Sequence, residues 1–167
     1  MTVAVIIPAR NAVATLGETL DSIAAQSVRP AEVVLVDDAS VDETAAVAMA
    51  HPLSVRLIAG TGSGPAAATN LAVKSAVSEW LAPLDSDDLW PPNRLEVALN
   101  TAALCGVDAV IGMVEPFVDL GVSPEVLARL RFQEGLQPGY LPGALLIRRS
   151  VFAELSGFDA NYMTGFF

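Results

Sequence analysis

Apolar positions along this chain follow two alternating rhythms. Val3 to Pro8 is a short unbroken run rich in β-branched residues, as expected of a buried strand. In the next stretch, TLGETLDSIAAQ, Leu16, Leu20 and Ile23 recur at helical spacing, and Thr15 with Glu18 fits a capping box. Both rhythms then return. EVVLVDD (Glu32 to Asp38) predicts a second strand, and SVDETAAVAMA a second helix with Ser40 and Glu43 as its capping box. Ser54 to Gly60 predicts a third strand. After the loop GTGSGP, Pro65 suits the first turn of a helix reaching about Glu79. Trp80 to Asp85 predicts a fourth strand, and Pro92 opens a helix through about Leu104.

This alternation predicts an α/β fold, a mostly parallel sheet of order 3-2-1-4 with helices on both faces. Past Asp108 the pattern loosens. DAVIGMVEPF reads as a strand, SPEVLARLRFQE as a helix capped by Ser123, and GALLIRRSVFAEL as a strand entering a helix. The expectation is one domain over residues 1–167: a nucleotide-type half, 1–101, and a smaller mixed lobe, 102–167.

Polar residues gather at equivalent places. Pro8, Ala9, Arg10 and Asn11 follow the first strand, Asp37 and Asp38 close the second, and Asp85, Asp87 and Asp88 close the fourth. In an open parallel sheet, ligands bind outside the carboxyl ends of the strands, where the strand order reverses. With the order 3-2-1-4, these groups converge on one pocket.

Composition narrows the choice. A chain of 167 residues, 53% hydrophobic and 17% charged, suits one globular domain. A net charge of −10 argues against a nucleic-acid or anionic-membrane surface. It also means that a phosphate-bearing ligand would need a cation. Cys105 is the only cysteine, which rules out an intrachain disulfide; its apolar setting predicts a small core residue. His51 is the only histidine and reads as a solvated loop residue. A Cys/His zinc site or a Ser-His-Asp triad needs more than this. MTVAVIIPAR reads as a buried strand rather than a signal peptide, and no stretch has the length of a membrane span. A soluble cytoplasmic protein is expected.

The acidic cluster in WLAPLDSDDLWPP carries the most specific chemistry. In extended chain Asp85 and Asp87 share a side and Ser86 takes the other. Hard oxygen donors at one strand end suit Mg²⁺ or Mn²⁺. Without a cation, at least one carboxyl should have a raised pKa. Magnesium commonly takes one or two carboxylates plus substrate phosphates, so not all three acids need touch it. A solvated acidic turn ahead of Pro91-Pro92 is the plain alternative.

The stretch VIIPARNAVATLGETLDSIAAQSVRPAEVVLVDDASVDET resembles the opening of family 2 glycosyltransferases of the GT-A fold. P-x-x-N stands at Pro8 to Asn11, S-I-x-x-Q at Ser22 to Gln26, and D-D-x-S-x-D at Asp37 to Asp42. GSGPAAATNLAVKSAVSEWLAPLDSDD resembles the family's G-x-x-x-A-x-N helix and D-x-D-D strand end, and GALLIRRSVFAELSGFD its acceptor-side segment.

The resemblance implies a glycosyltransferase that uses a nucleotide-sugar donor, UDP-linked by preference, an acceptor hydroxyl, and Mn²⁺ or Mg²⁺, with inversion. Pro8, Ala9, Arg10 and Asn11 would line the nucleotide pocket, and Asp38, with Asp37, would meet the base. Gly64 to Asn70 would hold the ribose-diphosphate side. Asp85, Ser86 and Asp87 would form the D-x-D element on the donor, with Asp85, Asp87 and Asp88 as metal ligands. Two departures stand out. Thr69 replaces an arginine common in the family, and the acidic base expected after G-F-D is not found before Phe167. The chain therefore reads as lacking its acceptor-side end, with an apolar terminus that could self-associate. A non-catalytic nucleotide-sugar-binding module, or an inactive fragment of the same fold, is the alternative.

Other classes fit less well. GTGSGP follows the third strand rather than the first, against a dinucleotide fingerprint, and G-K-[ST] is absent. A phospho-acceptor domain needs a lysine at a late strand end, whereas the only lysine, Lys74, falls within a helix.

Overall fold

The computed structural model describes residues 1–118, 122, 123, 125 and 135–161. The strands are β1 (Val3–Ala9), β2 (Glu32–Asp37), β3 (Arg56–Ala59), β4 (Trp80–Pro83), β5 (Ala109–Ile111), β6 (Met113–Val114), β7 (Gln137–Pro138) and β8 (Leu145–Arg148). The helices are α1 (Leu16–Ala24), α2 (Thr44–Ala50), α3 (Pro65–Ser75), α4 (Arg94–Cys105) and α5 (Arg149–Glu154), with a 3₁₀ turn at Pro142–Ala144. The helix expected from Ser123 onward falls mostly outside the described residues, as does the end of the apolar terminus.

The main sheet runs β3-β2-β1-β4-β8-β5. β1, β2, β3 and β4 are parallel, and β8 is antiparallel to both β4 and β5. The order 3-2-1-4 is as expected, and two strands from beyond residue 101 extend it. β6 and β7 form a separate antiparallel pair.

β1 is buried along its whole length because both faces of the sheet are covered. Val3, Val5, Ile7 and Ala9 pack with Leu16, Leu20 and Ile23 of α1, Ala48 of α2 and Leu95 and Leu99 of α4. Ala4 and Ile6 face the other way, toward Ala68 and Ala72 of α3 and Phe152 of α5. One strand therefore serves two cores through its period-2 alternation.

Neither predicted capping box forms. The Thr15 hydroxyl donates to the Ser86 carbonyl at 2.9 Å rather than capping α1. α2 starts at Thr44, and the Ser40 hydroxyl accepts the Asn11 N–H at 2.9 Å. α3 stops at Ser75, short of Glu79, where the Glu32 carboxylate accepts N–H bonds from Val77 and Ser78. Gly112 separates the strand expected over residues 108–117 into β5 and β6. Cys105, expected in the core, is exposed at the last turn of α4. His51 closes α2 half-buried, 3.1 Å from Asp21.

Candidate functional site

The strand order reverses between β1 and β4. A cavity of about 330 Å³ opens there, beyond the carboxyl ends of the strands, a volume within the range of small-molecule sites. Pro8, Ala9 and Arg10 line it from the end of β1, and Pro83, Asp85, Ser86 and Asp87 from the end of β4. Asp38 enters beyond β2, and Gly64, Pro65, Ala66 and Thr69 come from the start of α3. Leu141, Pro142 and Phe158 complete the wall from the far side. Arg10 is the only basic side chain among the described lining residues.

Asp38 is only 4% exposed, yet its carboxylate is well used. Oδ1 accepts the N–H groups of Gly62 at 2.8 Å and Ser63 at 3.2 Å, and Oδ2 accepts that of Gly64 at 2.8 Å. The aspartate so fixes the loop before α3 and, with it, the helix start that faces the cavity. Oδ2 has one described donor and keeps capacity for another.

The acidic turn is tied down by its backbone. The Ser86 carbonyl accepts hydroxyl bonds from Thr15 at 2.9 Å and Thr19 at 3.0 Å, both reaching over from α1. Its side chains lack a comparable compensation. Burial, then the Asp88 charge, then the Asp87 charge push the Asp85 carboxyl up to about 6. Burial and the Asp87 charge also raise Asp88. A Cβ added at Gly143 would lie 3.0 Å from Asp88 Oδ2, so Asp88 packs against the 3₁₀ turn and is not among the cavity's lining residues.

A divalent cation suits this donor set, because carboxyls raised by burial and by one another's charge are stabilised by one. Among the described residues no three Asp, Glu, His or Cys side chains gather into a ready metal shell. An ion here would therefore take part of its coordination from a ligand's phosphates or from water, as magnesium usually does.

Besides Asp88, three expected site residues lie outside the cavity lining. Asn11, at φ 52°, accepts the Val41 N–H through Oδ1 and belongs to the 39–42 turn. Asp37 Oδ1 accepts the Ser40 N–H at 3.0 Å in the same turn. Asn70 turns away and bonds both polar backbone atoms of Phe158. Thr69 does line the cavity, with its hydroxyl donating to the Pro65 carbonyl at 2.8 Å.

Leu141, Pro142 and Phe158 carry no polar motif, and sequence reasoning passed over them as site residues. Trp90 and Arg94 lie behind the far wall. Trp90 Nε1 donates to the Gly143 carbonyl at 3.1 Å, and the Arg94 guanidinium stacks 4.4 Å from the Trp90 ring centre. Arg94 Nη2 donates to the Leu145 carbonyl at 2.7 Å. These contacts hold the turn that supplies Leu141 and Pro142. The resemblance of GALLIRRSVFAELSGFD, which includes Phe158, to an acceptor-side segment was the signal pointing there.

The model of Glycosyl transferase family 2 matches residues 4–155. The succinoglycan biosynthesis protein ExoO of Rhizobium meliloti (strain 1021) is 37% identical over 108 residues, covering 64% of this chain and 31% of ExoO. The uncharacterized glycosyltransferase YwdF of Bacillus subtilis (strain 168) is 28% identical over 96% of this chain and 63% of its own length. Among solved structures, S. aureus TarS 1-349 superposes with a TM-score of 0.77 at 24% identity, over 98% of this chain and 52% of that one. The mannosyltransferase PcManGT of Pyrobaculum calidifontis, in complex with GDP-Man and Mn²⁺, gives 0.70 at 29% identity, over 95% of this chain and 48% of that one. This chain thus spans about a third of ExoO and about half of these solved chains. No helix among the described residues is long and apolar enough to cross a membrane.

Proposed function

This chain belongs to glycosyl transferase family 2, and we propose from that premise that it binds a nucleotide-sugar donor at the β1/β4 cavity for transfer to an acceptor hydroxyl. The observation that carries the reading is the meeting of Asp38, the α3 start and the Asp85–Asp87 turn around one cavity at the strand-order reversal.

The base and ribose would lie between Pro8–Arg10 and Gly64–Ala66, with the free capacity of Asp38 Oδ2 facing a ring N–H. Uracil's ring N–H fits that acceptor, as do those of thymine and guanine, and UDP is the carrier we favour among them. Complexes of TarS with UDP and UDP-GlcNAc lend support, while the GDP-Man complex of PcManGT keeps GDP in view. Asp85 and Asp87 would hold Mn²⁺ or Mg²⁺, with Asp88 behind them, and the ion would supply Lewis-acid stabilisation of the departing diphosphate.

In the transfer, the acceptor oxygen forms a bond to the anomeric carbon. The bond from that carbon to the diphosphate oxygen breaks, its electron pair leaves with the nucleoside diphosphate, and the hydroxyl proton passes to a base. In-line attack inverts the anomeric centre. Pro8 to Arg10 and the α3 start position the donor for it, and the Leu141, Pro142 and Phe158 wall limits water on the acceptor side.

Calorimetric titration of UDP, with Mn²⁺ and again with EDTA, tests this. Binding that needs Mn²⁺ and is lost in Asp87→Ala is expected. Absence of binding by UDP, GDP and dTDP alike would overturn the reading.

A further inference from the structure

A second cavity, of about 230 Å³, adjoins the first. Leu141, Pro142 and Phe158 line both and form a shared wall. Ile111, Tyr140 and Leu145 enclose the outer side. We propose that this annex is an acceptor subsite that takes an apolar group, aryl or short alkyl, carried next to the acceptor's reacting hydroxyl. The proposal rests on the donor reading of the first cavity.

The chemistry of the lining supports that occupant. Among the described residues the annex presents no charged side chain, and its only side-chain polar atom is the Tyr140 hydroxyl. Part of the surrounding backbone is already committed. Gly139 N–H donates to the Gly112 carbonyl at 3.0 Å, and Gly112 N–H to the Ala144 carbonyl at 2.9 Å. Tyr140 N–H donates to the Pro138 carbonyl at 3.2 Å, and the Leu145 carbonyl accepts from Arg94. A bare sugar ring placed here would find few hydrogen-bond partners in the described lining, whereas an aryl or alkyl group needs none. A second nucleotide would need polar and cationic contacts that the described lining does not supply.

Position supports it as well. A group seated in the annex lies one side-chain layer from the donor cavity, across Leu141, Pro142 and Phe158. A hydroxyl next to that group can therefore reach past the wall toward the donor's sugar. The wall is fixed from behind by Trp90 and Arg94, through the Gly143 and Leu145 carbonyls, and from the side by Asn70. A held wall makes the annex a preformed site, which suits selection among acceptors.

The test compares phenyl β-D-glucopyranoside with methyl β-D-glucopyranoside, titrated into the full chain and followed by methyl resonances. Phenyl glucoside should bind about tenfold or more tightly than the methyl glucoside, as burial of an aryl ring predicts, and should shift Leu141, Leu145 and Ile111 methyls. Ile111→Glu should weaken the phenyl compound by a similar factor; Ile111 is 55% exposed, so the variant should fold, and its melting curve checks this. Equal binding of the two glucosides, binding of neither, or indifference to Ile111→Glu would overturn the annex. A parallel UDP titration keeps the two readings apart. Loss of the phenyl preference with UDP still bound overturns the annex alone. Phenyl binding without any nucleotide binding overturns the donor reading and the acceptor assignment with it.

Discussion

Asn70 clasps Phe158 through both ends of its amide: Nδ2 donates to the Phe158 carbonyl at 2.7 Å, and Oδ1 accepts the Phe158 N–H at 2.9 Å. The link joins α3 to a turn 88 residues away. It leaves little room beside it, since a Cβ on Gly157, at φ 74°, would stand 2.6 Å from Asn70 Oδ1. Phe158 in turn lines both cavities.

Asn70→Asp keeps the acceptor and replaces the donor by an oxygen facing the Phe158 carbonyl. A destabilisation of about 1–3 kcal/mol is expected from the bond lost and the oxygen–oxygen contact that replaces it. Asn70→Ala should do similar damage. Both should weaken UDP by loosening the wall rather than by removing a direct contact. Equilibrium urea unfolding measures the first effect and UDP titration the second. A variant of wild-type stability with weakened UDP would instead place Asn70 on the nucleotide.

A second expectation concerns Glu32. Burial would raise its carboxyl, but the Ser78 hydroxyl and the N–H groups of Val77 and Ser78, with the Arg56 charge, outweigh that and hold it below its usual 4.5. A depressed folded value means stability that is complete above the unfolded value and is lost as pH falls through the folded one. Glu32→Gln should therefore be less stable than wild type at pH 7, by about 1–2 kcal/mol. The difference should shrink as pH falls through the folded Glu32 value, below its usual 4.5, where both side chains become neutral. Thermal melts across that range would show it. A difference independent of pH would mean that geometry, not charge, holds the turn after α3.

How far the sequence could be read follows from the range of its interactions. The order 3-2-1-4 was legible because β1 and β2 are continuous apolar runs and Leu16, Leu20 and Ile23 repeat locally at helical spacing. The capping boxes failed for the opposite reason. Thr15 bonds Ser86, 71 residues on, and Ser40 bonds Asn11, 29 residues back, so tertiary partners displaced local ones. The joining of β8 to β4 could not be read either, since Trp80 pairs with Arg148 across a long interval and in the antiparallel sense. On the site, charged strand ends announced themselves, whereas Leu141, Pro142 and Phe158 reach the cavity only through long-range packing. Cys105 was misjudged because its apolar neighbours Leu104 and Val107 are exposed too.

A third expectation comes from Arg94. Burial alone brings its pKa down to about 10, and Nη1 has no hydrogen-bond partner among the described residues. The side chain works through stacking on Trp90 and the bond from Nη2 to the Leu145 carbonyl. Arg94→Met keeps much of the packing and orphans that carbonyl, while relieving a desolvated charge. These effects oppose one another, so the net change in stability should be small, within about 1–2 kcal/mol. The wall should move more than the stability. Trp90 fluorescence should shift, and phenyl β-D-glucopyranoside should bind several-fold more weakly. Arg94→Lys, with a single ammonium in place of the fork, should restore little. Unchanged glucoside binding in Arg94→Met would free the turn from dependence on this residue.

The last expectation is electrostatic, and its sign is the reverse of that for Glu32. Asp85 has its carboxyl raised from 3.8 to about 6 in the fold, so the folded chain binds that proton more tightly than the unfolded one does. Its contribution to stability falls as pH climbs from about 4 to about 6, and the full penalty holds above that range. In EDTA, Asp85→Asn should remove this slope and be more stable than wild type at pH 7, by on the order of 2 kcal/mol. Because Asp88 contributes more than Asp87 after burial, Asp88→Asn should lower the Asp85 midpoint further than Asp87→Asn does. Carboxyl NMR titration of Asp85 reads both. Mn²⁺ with UDP should raise the wild-type melting temperature at neutral pH and leave Asp85→Asn nearly unmoved, because the carboxylate penalty is what an ion relieves. A wild-type midpoint at the ordinary aspartate value would remove the electrostatic case for a cation at this turn.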